Sequence, residues 1–144
     1  MNILEAVDSV SSTGFFSRWM PSAQREVIAA TLAGEESEVM LDLLNKLKAR
    51  IETMPATHET NGQGSAAMVY LHYFLGSMDA WVTEKDVGEG ECWTPETEQL
   101  QAFGLVSLSA GKENAEFGYL CIPEYLESGV ELDLYWQPKA LADI

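Results

Sequence analysis

The sequence predicts an α+β fold: N-terminal helices followed by an antiparallel sheet of four or five strands, with a short helix before the last strand. Two observations carry this expectation. Met40, Leu43, Leu44, Leu47, Ile51 and Met54 recur at three- and four-residue spacing, the period of one helix face. Beyond residue 65 the pattern changes to short apolar runs and strict alternation, and helices first with strands after them are the order of an α+β chain. A length of 144 residues allows a single hydrophobic core without disulfides or metals. The expected plan is a helical segment over 1–54, a loop over 55–65 and an antiparallel α+β domain over 66–144, in one compact unit.

Taken in order, a short helix is expected over 3–10, with Phe15, Phe16 and Trp19 packing behind it. A second helix begins at Met20-Pro21-Ser22, with proline in its tolerated first-turn place and Gly34 as its stop. The third runs over 35–54, with Glu35, Glu36 and Glu38 in its first turn and Lys46, Lys48 and Arg50 later, matching the helix dipole. Pro, Gly, Asn and Thr mark 55–65 as loop. Residues 68–75 are continuously apolar and aromatic, as in a central strand covered on both faces. Further strands are expected over 80–85, 100–108 and 117–122, with an acidic connection over 87–98. One or two helical turns over 123–128 stop at Gly129. Val130, Leu132, Leu134 and Trp136 then alternate with Glu131, Asp133 and Tyr135 as a half-buried strand, even-numbered side chains inward.

Composition excludes more than it names. Apolar residues make up 47 % and charged residues 22 %, too apolar for a disordered acidic chain. The 23 Asp and Glu against 8 Lys and Arg give a net charge of −15. Such a balance argues against nucleic-acid binding through phosphates and against anionic membrane surfaces. Residues 1–60 carry net −4 and residues 61–144 net −11, so the excess lies on the strand-rich half. Cys92 and Cys121 form neither a disulfide framework nor a C-x-x-C spacing. The start MNILEAVDSV lacks the basic-then-apolar pattern of a secretory signal, and no apolar run is long enough to span a membrane, so a cytoplasmic location is expected.

Candidate chemistry is sparse. Glu131 and Asp133 sit two apart on one strand face, roughly 6–7 Å from each other, and Glu84 and Asp86 repeat that spacing. Such pairs suit metal-assisted hydrolysis, yet alternate acids opposite an apolar face are more often its wet side. His72 lies within an aromatic run, as a hydrogen-bonded core histidine does, and His58 lies in the loop. Residues 58, 72, 92 and 121 lack the paired clusters of a zinc site. No nucleophile motif is legible, and the Gly-rich Asn61-Gly62-Gln63-Gly64-Ser65 precedes a strand, unlike a phosphate loop. Trp81 and Trp136 read as core. Trp93, within the acidic connection, reads as an interface anchor.

From Met68 onward the chain resembles the domain of unknown function 2958 family of plasmid, phage and integrative-element proteins. The residues carrying the resemblance are Trp81-Val82-Thr83-Glu84-Lys85-Asp86, Phe103-Gly104-Leu105-Val106, Glu116-Phe117-Gly118-Tyr119, and Val130 through Trp136 with Pro138. It covers about residues 68–143. Relatives tend to carry serine where this chain has Cys121, which speaks against a nucleophile there. The resemblance implies a mobile-element setting and no defined chemistry. Small acidic proteins of that setting often resemble inhibitors of host defence complexes such as CRISPR surveillance complexes or restriction enzymes, an analogy at the level of class. The expected function is therefore a non-enzymatic inhibitor that mimics DNA on the DNA-binding face of a basic protein or nuclease complex. It would bind neither nucleic acid nor membrane directly, and no cofactor or metal is expected. Its expected partner-binding residues are Asp79, Glu84, Asp86, Glu89, Glu91, Trp93, Glu96, Glu98, Glu131 and Asp133. The alternatives are a metal-dependent hydrolase using the paired carboxylates, and an accessory interaction module working through its helical N-terminus.

Overall fold

The computed structural model describes residues 1–56, 59–85, 101–109 and 112–144. Helix α1 (Ile3–Ser9) starts where the Asn2 side chain accepts the Glu5 N–H at 2.8 Å, satisfying one of the free amides of the first turn. A 3-10 turn at Phe15–Arg18 follows. Gly14 precedes it because the chain passes too close to α1 for any side chain: a Cβ there would lie 2.1 Å from the Asp8 carbonyl oxygen. Helix α2 (Ser22–Leu32) has Pro21 as its N-cap, one place earlier than expected, in an extended conformation with ψ 156°. Helix α3 (Ser37–Thr53) buries Leu44, Leu47 and Ile51, the stripe read from spacing. Its N-cap is Glu36, so Glu38 is the one acid of the three expected that lies within its first turn.

The strands are β1 (Met68–Val69), β2 (Leu71–Leu75), β3 (Met78–Lys85), β4 (Gln101–Ser107) and β5 (Glu116–Cys121). Helix α4 (Ile122–Ser128) stops at Gly129, whose φ of 93° suits glycine, and β6 (Glu131–Leu132) and β7 (Lys139–Ala140) close the chain. Five strands form an antiparallel sheet in the order β5-β4-β3-β2-β6, and β1 pairs with β7 in a separate two-stranded ribbon. The fold is thus α+β with N-terminal helices and a helix before the last strands.

Two strand boundaries differ from expectation. The run 68–75 is broken at Tyr70, whose N–H donates to the Val82 carbonyl at 2.9 Å, and the two parts join different sheets. It is not covered on both faces: Leu71 and Tyr73 are buried, whereas His72 and Phe74 are half-buried. The expected strand over 130–136 pairs only at Glu131–Leu132. Asp133 Oδ1 accepts the Tyr135 N–H at 3.0 Å, an Asx turn that leads the chain out of the ladder. Trp136 Nε1 then donates to the Val69 carbonyl at 3.0 Å. The inside-outside parity holds over residues 130–132, with Val130 and Leu132 buried and Glu131 exposed, and lapses at Asp133 and Leu134, which are both half-buried.

One face of the sheet packs on the helices. Leu71, Tyr73, Ala80, Val82 and Leu132 share a core with Phe16, Met20, Ile28, Leu44 and Leu47. On the opposite face Trp81 and Leu105 pack with Ala67, Val69 and Leu141 beneath the C-terminal segment. A register shift between Val82 and Glu84 marks a bulge in β3, and across from it a Cβ on Gly104 would stand 2.0 Å from the Trp81 carbonyl oxygen. Two polar clasps join helices to sheet. Lys85 Nζ donates to the Ile51 and Glu52 carbonyls at 3.0 Å each, a cation at the C-terminus of α3. Gln24 of α2 donates to the Leu132 carbonyl at 2.7 Å and accepts the Leu132 N–H at 2.9 Å, so its amide serves β6 as a further strand would. Among the described residues no helix is long and apolar enough to cross a membrane.

Candidate functional site

Alternation along β2 turns His72 and Phe74 to the face away from the helices. Phe74 pairs with Asp79 on β3 and with Glu131 on β6, and His72 pairs with Trp81. Just past β6, the Asp133 N–H donates to the His72 carbonyl at 2.8 Å, which places its side chain beside the imidazole. His72 Nε2 lies 2.7 Å from Asp79 Oδ1 and His72 Nδ1 lies 3.2 Å from Asp133 Oδ2. The imidazole is 14 % exposed and each carboxylate 27 %. Trp81 and Phe74 stack beside the ring at 5.9 and 5.8 Å between centroids, and Trp136 tilts against it at 5.1 Å. Lys139 Nζ lies over the Trp136 ring, 4.7 Å from its centroid.

This geometry decides what His72 does. Each imidazole nitrogen lies within hydrogen-bond distance of one of the two carboxylates. Both nitrogens are engaged, so neither is presented to a substrate or a metal. His72 ties three strands together and draws Asp79 and Asp133 toward it. The Arg50 guanidinium adds positive charge nearby: burial lowers its pKa, and the Asp133 carboxylate works in the opposite direction.

The expected partner-binding residues therefore separate. Asp79 and Asp133 meet through His72 and do not stand as free surface anions. Glu131, exposed on the same face, does. Glu84 is a correction: it is 2 % exposed, and its Oε2 accepts the Thr60 N–H at 2.9 Å and the Thr60 hydroxyl. The β3 bulge interrupts the alternation that predicted an outward side chain, and Thr60 supplies donors to the buried carboxylate. Asp86, Glu89, Glu91, Trp93, Glu96 and Glu98 lie outside the described residues, as do His58 and Cys92. Among the described residues no three His, Cys, Asp or Glu side chains converge as a metal site.

Further along the same face, Phe103 of β4 stacks on Phe117 of β5 at 6.0 Å and meets Tyr119 edge-on at 5.3 Å. Phe117 and Tyr119 are more than half exposed. Beside them a cleft of about 280 Å³ is bounded by Thr60, Asn61, Gly62 and Thr83, and a groove of about 490 Å³ lies against β5 between Leu108 and Tyr125. These features were not read from sequence. Glu116-Phe117-Gly118-Tyr119 shows alternation, but alternation does not tell an inner strand from an edge. No family model, curated protein or solved structure matches this chain.

Proposed function

We propose that this chain is a small, acidic, non-enzymatic binding protein that occupies a basic surface of a DNA-binding partner and competes there with duplex DNA. The observation that carries the reading is the net charge of −15, concentrated as net −11 on residues 61–144. Glu113, Glu116, Glu124, Glu127 and Glu131 are exposed carboxylates of that half. The engagement of both His72 nitrogens supports binding over acid-base catalysis, since the ring offers no free site for proton transfer. The family resemblance of residues 68–143 suggests a mobile-element setting, in which the partner is a host defence complex such as a restriction enzyme or a CRISPR surveillance complex.

The test begins with capture of partners from a bacterial lysate, followed by competition with duplex DNA on the purified partner. Displacement of DNA is expected, with an association rate that falls steeply as salt rises. Reversal to Lys at Glu89, Glu91, Glu96 and Glu98 together should weaken binding more than reversal at Glu35, Glu36 and Glu38. A partner that holds this protein and duplex DNA together, with salt-insensitive affinity, overturns the reading.

A further inference from the structure

We infer that the outer edge of β5 is a strand-addition site for an extended, basic segment of the partner, with apolar residues alternating with lysine or arginine. This rests on the reading of the chain as an acidic binder of a basic partner, and it names the element that makes the contact.

The two edges of the five-stranded sheet are treated differently. At the β6 edge, Gln24 engages both backbone groups of Leu132. At the β5 edge, no described backbone group outside the ladder to β4 hydrogen-bonds residues 116–121. Soluble proteins usually cover or charge such an edge, because its free N–H and C=O groups template another strand. Here a groove of about 490 Å³ lies against β5, bounded by Val106, Glu116, Gly118, Tyr119 and Tyr125. Gly118 opens that groove, since a Cβ at this position would meet nothing within 4 Å.

The side chains define the occupant. On one face of β5, Phe117 and Tyr119 are 52 % and 55 % exposed and offer apolar contact to every second residue of an added strand. On the other face stand Glu116 and the bare backbone of Gly118, and the following helix carries exposed Glu124 and Glu127. An incoming strand therefore meets aromatic rings on one side and carboxylates on the other. A second copy of this chain is disfavoured as the occupant: pairing would bring two molecules of net charge −15 together with Glu116 in both edges.

The probe is a fluorescein-labelled octapeptide alternating lysine and valine. It is compared with a peptide of the same composition in two blocks and with an alternating glutamate-valine peptide. Anisotropy titration of the full chain should favour the alternating lysine peptide by roughly tenfold over the block peptide. Hydrogen exchange should slow at alternate amides of residues 116–121. Gly118→Val should weaken binding by roughly tenfold with the melting temperature maintained, since the side chain narrows the groove and its Cβ meets nothing within 4 Å. If that variant does not fold, Glu116→Lys, at an exposed position, carries the same expectation.

Equal binding of the two lysine peptides with unchanged exchange in β5 overturns the edge proposal and leaves the basic-partner reading standing. Binding of neither lysine peptide, or equal binding of the glutamate peptide, overturns both. A concentration-dependent dimer in light scattering that slows exchange in β5 makes a second copy the occupant and overturns the proposal.

Discussion

Tyr73 is fully buried, and its hydroxyl donates to the Trp19 carbonyl at 2.6 Å. Burial raises its pKa well above the ordinary value of 10.0. The unfolded chain ionises this phenol from about pH 10 upward while the folded chain does not. The stabilisation from keeping it neutral is complete below that pH and is lost as pH rises beyond it. Tyr73→Phe should therefore reduce the alkaline loss of stability, while costing about 1 kcal/mol at neutral pH for the lost hydrogen bond. Urea denaturation at neutral and alkaline pH checks both parts, and an unchanged alkaline slope refutes the first. At His72 the consequence is electrostatic. His72→Phe leaves Asp79 and Asp133 half-buried without their shared hydrogen-bond partner and should cost about 1–3 kcal/mol. A loss within experimental error would mean that the imidazole does not tie the strands together.

Among the elements, β6 depends most on a single distant side chain. Gln24→Leu keeps the bulk of the residue and removes both hydrogen bonds to Leu132, so a loss of about 1–3 kcal/mol is expected. Faster amide exchange at Leu132 should accompany it, and unchanged exchange would show that the clasp is dispensable. This clasp also explains what could be read in advance. Helix α3 was legible because its stripe of Leu44, Leu47 and Ile51 is a local period, and the parity of residues 130–132 was legible because alternation is local too. The break at Tyr70 was not, because it is set by pairing to Val82 and to residues 139–140, far along the chain. The early end of β6 follows from an Asx turn at Asp133, a residue whose place in the alternation suggested only an outward carboxylate. Of the expected acidic site, Glu131 kept the exposure that alternation assigns. Glu84 did not, because a bulge turns a side chain that a two-residue period cannot anticipate. The meeting of Asp79 and Asp133 on His72 required the neighbourhood of β3, β2 and β6, which depends on sheet order.

For the molecule as a whole, the net charge of −15 on 144 residues opposes compaction through self-repulsion. Added sodium chloride should raise the melting temperature from its low-salt value as the repulsion is screened, with most of the gain below about 0.15 M, where the Debye length is already about 8 Å. A salt-independent melting temperature would show that the carboxylates are too dispersed to repel one another appreciably. The same repulsion also acts between molecules and disfavours self-association. The clasp between Gln24 and Leu132 spans 108 positions of the chain, and that interval has a temporal meaning. On the ribosome roughly 5–20 s separate the synthesis of Gln24 from that of Leu132, at about 5–20 residues per second. Throughout that time the Gln24 amide lacks its partner in β6, and the helix faces lack the strands that bury them. Completion of the tertiary core must wait for the sheet, so a segment translated later is decisive for one translated earlier.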